Sequence, residues 1–137
     1  MSWQSEAQTL VDEMRDDLSA TVTMEERGDR LTIFVLRARN DDATEIRLAL
    51  SERELILSAG SGTRFELGPL PSSKGEALEL ARAVAAGDLT ESIGRAVTRF
   101  DLQLADGSTR RGRTVRAAGL MRGRRRRTIR YAEYRHD

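Results

Sequence analysis

Arginine residues dominate the last 30 positions of the chain and indicate an anion-binding segment. Ten of them lie between positions 110 and 130: Arg110, Arg111, Arg113, Arg116, Arg122, Arg124, Arg125, Arg126, Arg127 and Arg130. A guanidinium group binds phosphate through two parallel hydrogen bonds, and each neutralised phosphate releases counterions. The segment therefore predicts binding of DNA or RNA with little sequence preference. Tyr131 and Tyr134 follow it closely, where their rings can stack on unpaired bases.

The same arginines have a second interpretation. A solvated tail that neutralises the acidic part of its own chain, or that binds an acidic partner protein, has the same composition. The sequence shows no recognition-helix, RNP-type or zinc-finger pattern beside the arginines. The nucleic-acid hypothesis therefore rests on charge alone.

Four carboxylates near the amino terminus form a second candidate site. Asp12 and Asp16 lie one helical turn apart, and so do Glu13 and Asp17. Such pairs bind a divalent cation, or act as acid and base, only where further groups converge in a sheltered site. A solvated acidic face explains them better. That face is suited to a basic partner protein or to the chain's own arginines.

The sequence lacks the residues that most catalytic and metal sites need. It contains no cysteine and a single histidine, His136, which argues against a catalytic triad and a zinc site built from histidine or thiolate. Gly60-Ser61-Gly62 lacks the third glycine and the Lys-Ser/Thr pair of a phosphate-binding loop, and is typical of a hairpin turn. We therefore expect no catalytic residue, no metal and no cofactor.

The charges are divided along the chain in a way that the total conceals. The formal net charge of the 137 residues is +1. Residues 1–107 carry 12 basic and 20 acidic side chains, a net charge of −8, whereas residues 108–137 carry 11 basic and 2 acidic side chains, a net charge of +9. We predict one acidic domain over residues 1–118, followed by an arginine-rich C-terminal extension over residues 119–137.

The amino terminus and the distribution of apolar residues predict a cytoplasmic protein. The first residues contain no basic stretch followed by an apolar one, as a secretory signal would. No stretch approaches the roughly 18 apolar residues of a membrane helix. Without cysteine the chain forms no disulfide. We expect no membrane contact.

Two segments show the spacing of amphipathic helices. Apolar residues recur at three- and four-residue intervals over residues 3–18, where Ser5 and Gln8 predict a capping box. Ser73 and Glu76 predict another capping box at the start of a second helix with a face of small residues.

The chain between the helices has the pattern of short strands. Residues 31–36 carry apolar side chains on both faces, as expected of a central strand covered on both sides. Residues 46–50 alternate between apolar and polar, and residues 55–57 are apolar. A turn at residues 60–62 then precedes Phe65 and Leu67. These features predict an antiparallel meander of three or four strands.

The pattern after the second helix is less regular. Residues 88–95 fit either a further helical turn or a loop. Residues 98–104 alternate as a strand, and residues 128–131 predict a last short strand.

Asp106-Gly107 has the sequence of a two-residue hairpin turn. With that turn, Phe100 lies opposite Arg113, so that arginine falls on an apolar face. An edge strand, a bulge at Gly112 or a longer loop resolves this conflict.

Together these elements predict an α+β fold, with one antiparallel sheet of about five to six strands packed with two helices in the order α-β-β-β(β)-α-β-β. Part of the sheet is then left uncovered, which favours a dimer or a partner. We interpret the chain as a non-enzymatic binding or adaptor protein that engages a protein partner or a second copy of itself. The alternative is a nucleic-acid-associated protein that uses the arginine segment.

Overall fold

Two helices and nine strands make up the described part of the chain. The computed structural model describes residues 2–115 and 126–136. The helices are α1 (Trp3–Leu18) and α2 (Lys74–Ala85). The strands are β1 (Thr21–Arg27), β2 (Thr32–Arg37), β3 (Ile46–Leu50), β4 (Leu55–Ala59), β5 (Thr63–Leu67), β6 (Leu89–Ile93), β7 (Val97–Gln103), β8 (Thr109–Val115) and β9 (Arg127–Arg130). No helix in these segments has the length and apolar character needed to cross a membrane.

The strands form two antiparallel sheets, where the sequence predicted one. The first sheet is the meander β1-β2-β3-β4-β5, and the second has the order β8-β7-β6-β9. The α+β class and the order of helices and strands are confirmed. The described strands outnumber the prediction because β1 and β6 lie where the sequence pattern indicated no strand.

Helix α1 begins before its predicted capping box. Ser2 is the N-cap residue, and its Oγ accepts the backbone N–H of Ser5 at 3.2 Å. Ser5 therefore lies in the first turn and does not cap the helix. The helix ends before Ser19, which has a left-handed φ of 53°. Its buried residues are Ala7, Leu10, Val11, Met14 and Leu18, as the predicted stripe requires.

Helix α2 begins at the predicted residue without the predicted capping box. Ser73 is the N-cap residue, but its buried hydroxyl has no hydrogen-bond partner within the described segments. Gly87 follows the helix with a φ of 81°, and its N–H donates to the carbonyl of Val84 at 3.1 Å. The buried face consists mainly of alanine and leucine, so the helix can pack closely on its neighbours.

Strand β2 is covered on both faces, as its sequence predicts. Phe34 and Leu36 belong to the core. Val35 points to the outer face, yet it is fully buried. It lies opposite Arg47, which binds Glu25 through two hydrogen bonds of 2.7 and 3.2 Å. Long, ion-paired side chains therefore shield this face of the strand.

Strand β6 is the largest departure from the sequence prediction. The segment predicted as a helical turn or a loop is an inner strand, paired with both β7 and β9. Leu89, Glu91 and Ile93 are its buried residues. Because a glutamate occupies the central buried position, the apolar alternation of a strand is hidden in the sequence.

The β7–β8 hairpin has a longer loop than the predicted two-residue turn. The loop comprises residues 105–107, and Gly107 has a φ of 89°. Phe100 consequently lies opposite Gly112 and not opposite Arg113. Strand β8, which carries Arg113, is also at the edge of its sheet. Two of the three proposed explanations, a longer loop and an edge strand, therefore hold.

Residues 126–136 pack into the domain, although they lie in the predicted extension 119–137. Strand β9 pairs with β6, and Tyr134 is only 1% exposed. The hydroxyl of Tyr134 donates to the carbonyl of Thr44 at 2.6 Å, and its backbone N–H donates to the carbonyl of Ala85 at 2.7 Å. This segment therefore joins the β2–β3 loop to the end of α2.

One hydrophobic core lies between the helices and both sheets. Phe65 of β5 meets Phe100 of β7 edge to face, with ring centroids 5.3 Å apart and an angle of 74° between the planes. Such an aromatic pair adds about 0.5–1.5 kcal/mol to the burial of its area. It joins the two sheets on the side where β5 and β8 approach each other.

Gly112→Ala tests the packing of Phe100 on β8. A Cβ atom at residue 112 would overlap the Phe100 ring, so we expect the free energy of unfolding to fall by about 1–3 kcal/mol. Urea denaturation at an unchanged m value measures this. The control is Gly75→Ala in α2, where no atom other than the chain neighbours and the nearby helix backbone lies within 4 Å of the added Cβ. Alanine should stabilise that helix by up to about 1 kcal/mol, and a similar gain at residue 112 would contradict the packing.

Candidate functional site

The outer face of the second sheet collects arginine side chains. We call it the arginine face, and it comprises Arg99, Arg111, Arg113, Arg126 and Arg130. The register aligns its residues in two rows across the strands. The first row is Arg130, Thr90, Asp101 and Arg111, and the second is Thr128, Ser92, Arg99 and Arg113. Because side chains alternate along a strand, each row points away from the core.

Two arginines of this face lie directly opposite each other. Arg99 on β7 pairs with Arg113 on β8, and both are exposed. Neither forms a salt bridge with a carboxylate of the described residues. Like charges directly opposite each other destabilise a strand pair. An anion bound between them would relieve this repulsion.

The other three arginines of the face have partners that leave their charge accessible. Arg111 binds Asp101 at 3.2 Å, yet its side chain is 76% exposed. Arg130 lies 3.8 Å from the carboxylate of Asp88, and its side chain is 72% exposed. Arg126 donates to the carbonyl and the hydroxyl oxygen of Ser92 at 3.0 and 3.1 Å. Exposed ion pairs contribute about 0–1 kcal/mol, so a phosphate can replace them at little cost.

The remaining predicted arginines lie elsewhere. Arg110 is opposite the buried Leu102, and its guanidinium reaches Glu76 of α2 at 3.1 Å. Arg127 lies opposite Ile93 at the edge of the sheet. The others fall outside the described residues: Arg116, Arg122, Arg124 and Arg125.

Arg99 was missed by the sequence prediction. It belongs to the acidic part of the chain, before the arginine-rich segment. The exposed positions of β7 place it on the same face as Asp101. A three-residue loop, in place of the predicted two-residue turn, would have aligned Arg99 with Arg113.

The predicted acidic face of α1 is engaged in contacts within the chain. Glu13 binds Lys74 of α2 at 2.8 Å, and Asp17 binds Arg82 of the same helix. The other two carboxylates, at positions 12 and 16, flank Arg15 at 3.4 and 3.1 Å. The contacts of Glu13 and Asp17 link the two helices at the surface. The described segments contain no group of three His, Cys, Asp or Glu residues arranged to hold a metal ion.

The two tyrosines expected to stack on bases have contacts within the domain. Tyr134 is buried in the core, where burial and the charge of Glu45 raise its pKa. Tyr131 donates its hydroxyl to Glu91 at 2.5 Å. Burial and this carboxylate raise the pKa of Tyr131 to about 12. The hydroxyl groups of both tyrosines are therefore engaged within the domain.

A buried carboxylate holds the second sheet against a turn of the first. Glu91 on β6 is 0% exposed. Its Oε1 accepts the N–H of Ser61 at 2.8 Å and the hydroxyl of Tyr131. Its Oε2 accepts the N–H of Gly62 at 2.9 Å and the hydroxyl of Thr63 at 2.7 Å. Burial alone raises the pKa of Glu91, but these four hydrogen bonds outweigh it and hold the pKa below the ordinary value of 4.5.

The Gly60-Ser61-Gly62 turn connects β4 and β5, as predicted, and it binds a carboxylate of the same chain. Gly60 has a left-handed φ of 59°, and a Cβ there would overlap the carboxylate of Glu91. A Cβ at Gly62 would overlap Thr98. Both glycines therefore serve the close approach of the two sheets.

A cavity of about 440 Å³ lies between the β2–β3 loop and Tyr131. Its walls include Arg37 and Glu45, which pair with each other at 3.4 Å and are about half exposed. The cavity is open and polar. It offers no sheltered pair of carboxylates of the kind that acid–base catalysis needs.

Neither a scan against protein-family models nor comparisons with curated proteins and solved structures found a match to this chain. Its function therefore has to be inferred from its own geometry and charge.

Glu91→Gln tests the buried carboxylate. Each of its oxygens accepts a hydrogen bond from one backbone N–H. A backbone N–H can only donate, whereas a hydroxyl group can rotate and accept a hydrogen bond instead. The glutamine NH₂ group must therefore face one such donor, and we expect a loss of about 1–3 kcal/mol in the free energy of unfolding at neutral pH. Urea denaturation measures it. The control is Glu66→Gln, an exposed carboxylate 3.1 Å from Arg64, which should change stability by less than about 0.5 kcal/mol.

The shifted pKa values of Glu91 and Tyr131 predict losses of stability at both ends of the pH range. The pKa of Glu91 is lowered on folding, so its contribution is complete above pH 4.5 and is lost as pH falls through the folded-state pKa. The pKa of Tyr131 rises from 10.0 to about 12, so its contribution is complete below pH 10.0 and is lost between pH 10.0 and about 12. Urea midpoints across pH should show smaller acid losses in Glu91→Gln and smaller alkaline losses in Tyr131→Phe. If both variants lost as much stability at these pH extremes as the wild type, the assignments would be contradicted.

Proposed function

We propose that the protein is a non-enzymatic nucleic-acid-binding protein that contacts the phosphate groups of DNA or RNA with its arginine face. The observation that most supports this is the opposition of Arg99 and Arg113 on an exposed sheet, without a salt bridge to a described carboxylate. Their mutual repulsion reduces the stability of the sheet. A phosphate between them turns this repulsion into two favourable ion pairs.

The dimensions of the face suit a polyanion. Its four strands span roughly 14 Å at the usual strand spacing, and Arg111 and Arg130 stand at the two ends of one row. In the sequence, Arg124 and Arg125 directly precede Arg126, which adds positive charge to the same segment. Phosphate contacts position a nucleic acid without reading its sequence. We therefore expect little sequence preference.

The sequence also predicts a protein-binding adaptor, with the acidic face of α1 as one docking surface. That surface receives less support, because Glu13 and Asp17 bind α2 and the neighbouring carboxylates flank Arg15. A partner would have to displace these intramolecular pairs.

The triple variant Arg99→Gln, Arg113→Gln, Arg130→Gln tests the proposed function. Fluorescence anisotropy with a labelled DNA duplex of mixed sequence should show affinity reduced by about tenfold or more at low salt. The slope of log K against log salt should become shallower by roughly 0.9 for each phosphate contact removed. The full chain is used because removing residues 120–137 would also remove β9 and the buried Tyr134.

The matched control is the triple variant Arg27→Gln, Arg39→Gln, Arg53→Gln. These arginines are exposed and lie in the first sheet and its loops, so the net charge changes equally while the arginine face is intact. We expect this variant to bind almost as well as the wild type. Equal losses in both variants, or no wild-type binding at low salt, would contradict the proposal. Arg113→Gln alone should also leave the fold unchanged or stabilise it by up to about 1 kcal/mol.

A further inference from the structure

Strand β8 has the most regular free edge among the described strands. The edge strands of the two sheets are β1, β5, β8 and β9. Strand β1 has an irregular register between Met24 and Glu26, and β5 and β9 are short. In contrast, β8 pairs with β7 over seven residues without a shift. Alternate N–H and C=O groups of such an edge are free to pair with another strand.

A cleft of about 300 Å³ runs beside this edge, between β8 and β5. At one end the two strands are tied together, because the hydroxyl of Thr114 donates to the carbonyl of Gly62 at 2.6 Å. Phe65 and Phe100 line the cleft, and Phe65 is only partly buried. The volume is that of a small ligand pocket. It can hold apolar side chains of a strand added to β8.

The cleft is basic along β8. Its two carboxylates are already neutralised, since Glu66 pairs with Arg64 and Glu76 pairs with Arg110. The remaining charged residues of its lining are Arg111 and Arg113. Pairing with β8 of a second copy would bring arginines against arginines, so the edge is unsuited to self-association. An acidic strand complements it.

We propose that β8 and this cleft bind an extended acidic segment of a partner protein by strand addition. The backbone of the segment pairs with the free edge of β8. Alternate apolar side chains enter the cleft over Phe65 and Phe100, and carboxylates on the other face bind Arg111 and Arg113. The site differs from the arginine face in needing a peptide backbone. Because both use Arg111 and Arg113, the acidic segment and nucleic acid compete.

The test uses three labelled peptides and the full-length protein. The first alternates glutamate with leucine or phenylalanine, the second has the same composition in scrambled order, and the third replaces glutamate by lysine. We expect the first to bind about tenfold more tightly than the scrambled peptide, and the lysine peptide not to bind. Equal binding of the first two would overturn the proposal, since charge alone would then explain it.

Backbone methylation of the first peptide separates strand addition from charge attraction. N-methyl groups on one set of alternate residues remove the N–H groups that face β8, whereas those on the other set face solvent. One methylated peptide should lose binding and the other should retain it within about threefold. If both retain it, the segment does not add to the sheet.

Two protein variants relate this site to the proposed nucleic-acid function, and the first of them separates the two. Arg99→Gln with Arg130→Gln alters the arginine face away from the cleft, so it should weaken duplex binding and leave peptide binding nearly unchanged. Arg111→Glu should weaken both peptide and duplex binding, because Arg111 belongs to both sites, and Arg39→Glu serves as its exposed control. Duplex binding without any peptide binding would overturn the strand-addition site alone. Peptide binding without duplex binding would overturn the nucleic-acid function alone.

Discussion

The arrangement of the two sheets depends on the buried carboxylate of Glu91. A charge removed from water is unfavourable unless its lone pairs are fully hydrogen-bonded. Its four donors come from the turn at Ser61 and Gly62, from Thr63 of β5, and from Tyr131 after β9. Moving any one of these parts away would leave the buried carboxylate without one of its donors. Glu91 therefore fixes the first sheet, the second sheet and the C-terminal segment against one another.

The buried position of Glu91 also determines which side chains lie at the surface, because it fixes the register of the strands around it. Strand β6 carries Glu91 inward and pairs on one side with β9, which presents Arg130, and on the other with β7, which presents Arg99. The register between β7 and β8 is set by packing of the Phe100 ring on Gly112. This register brings Arg99 opposite Arg113. A repulsive pair on the surface is tolerated because the buried contacts beneath it determine the register.

The sequence was sufficient for the elements whose apolar residues are locally periodic. Both helices and strands β2, β3 and β7 follow from their spacing, as does the α+β class. Strand β6 could not be found in this way, because the buried Glu91 depends on partners 28 to 40 residues away. Strand β1 is mostly exposed and shows no alternation. For the candidate site, composition identified the arginine-rich segment, but only the register adds Arg99 and removes Arg110 and Arg127.

Under the proposed function, the opposed arginines would also couple anion binding to the stability of the fold. In the free protein, the repulsion between Arg99 and Arg113 opposes pairing of β7 with β8, and a polyanion bound as proposed would remove it. An anion that binds only the folded state stabilises it further by mass action. Added salt acts in opposite directions on the two states, because it screens the repulsion in the free protein and weakens the contacts in the complex. The gain in stability from a bound polyanion should therefore be largest at low ionic strength, where the free sheet is under the greatest electrostatic strain.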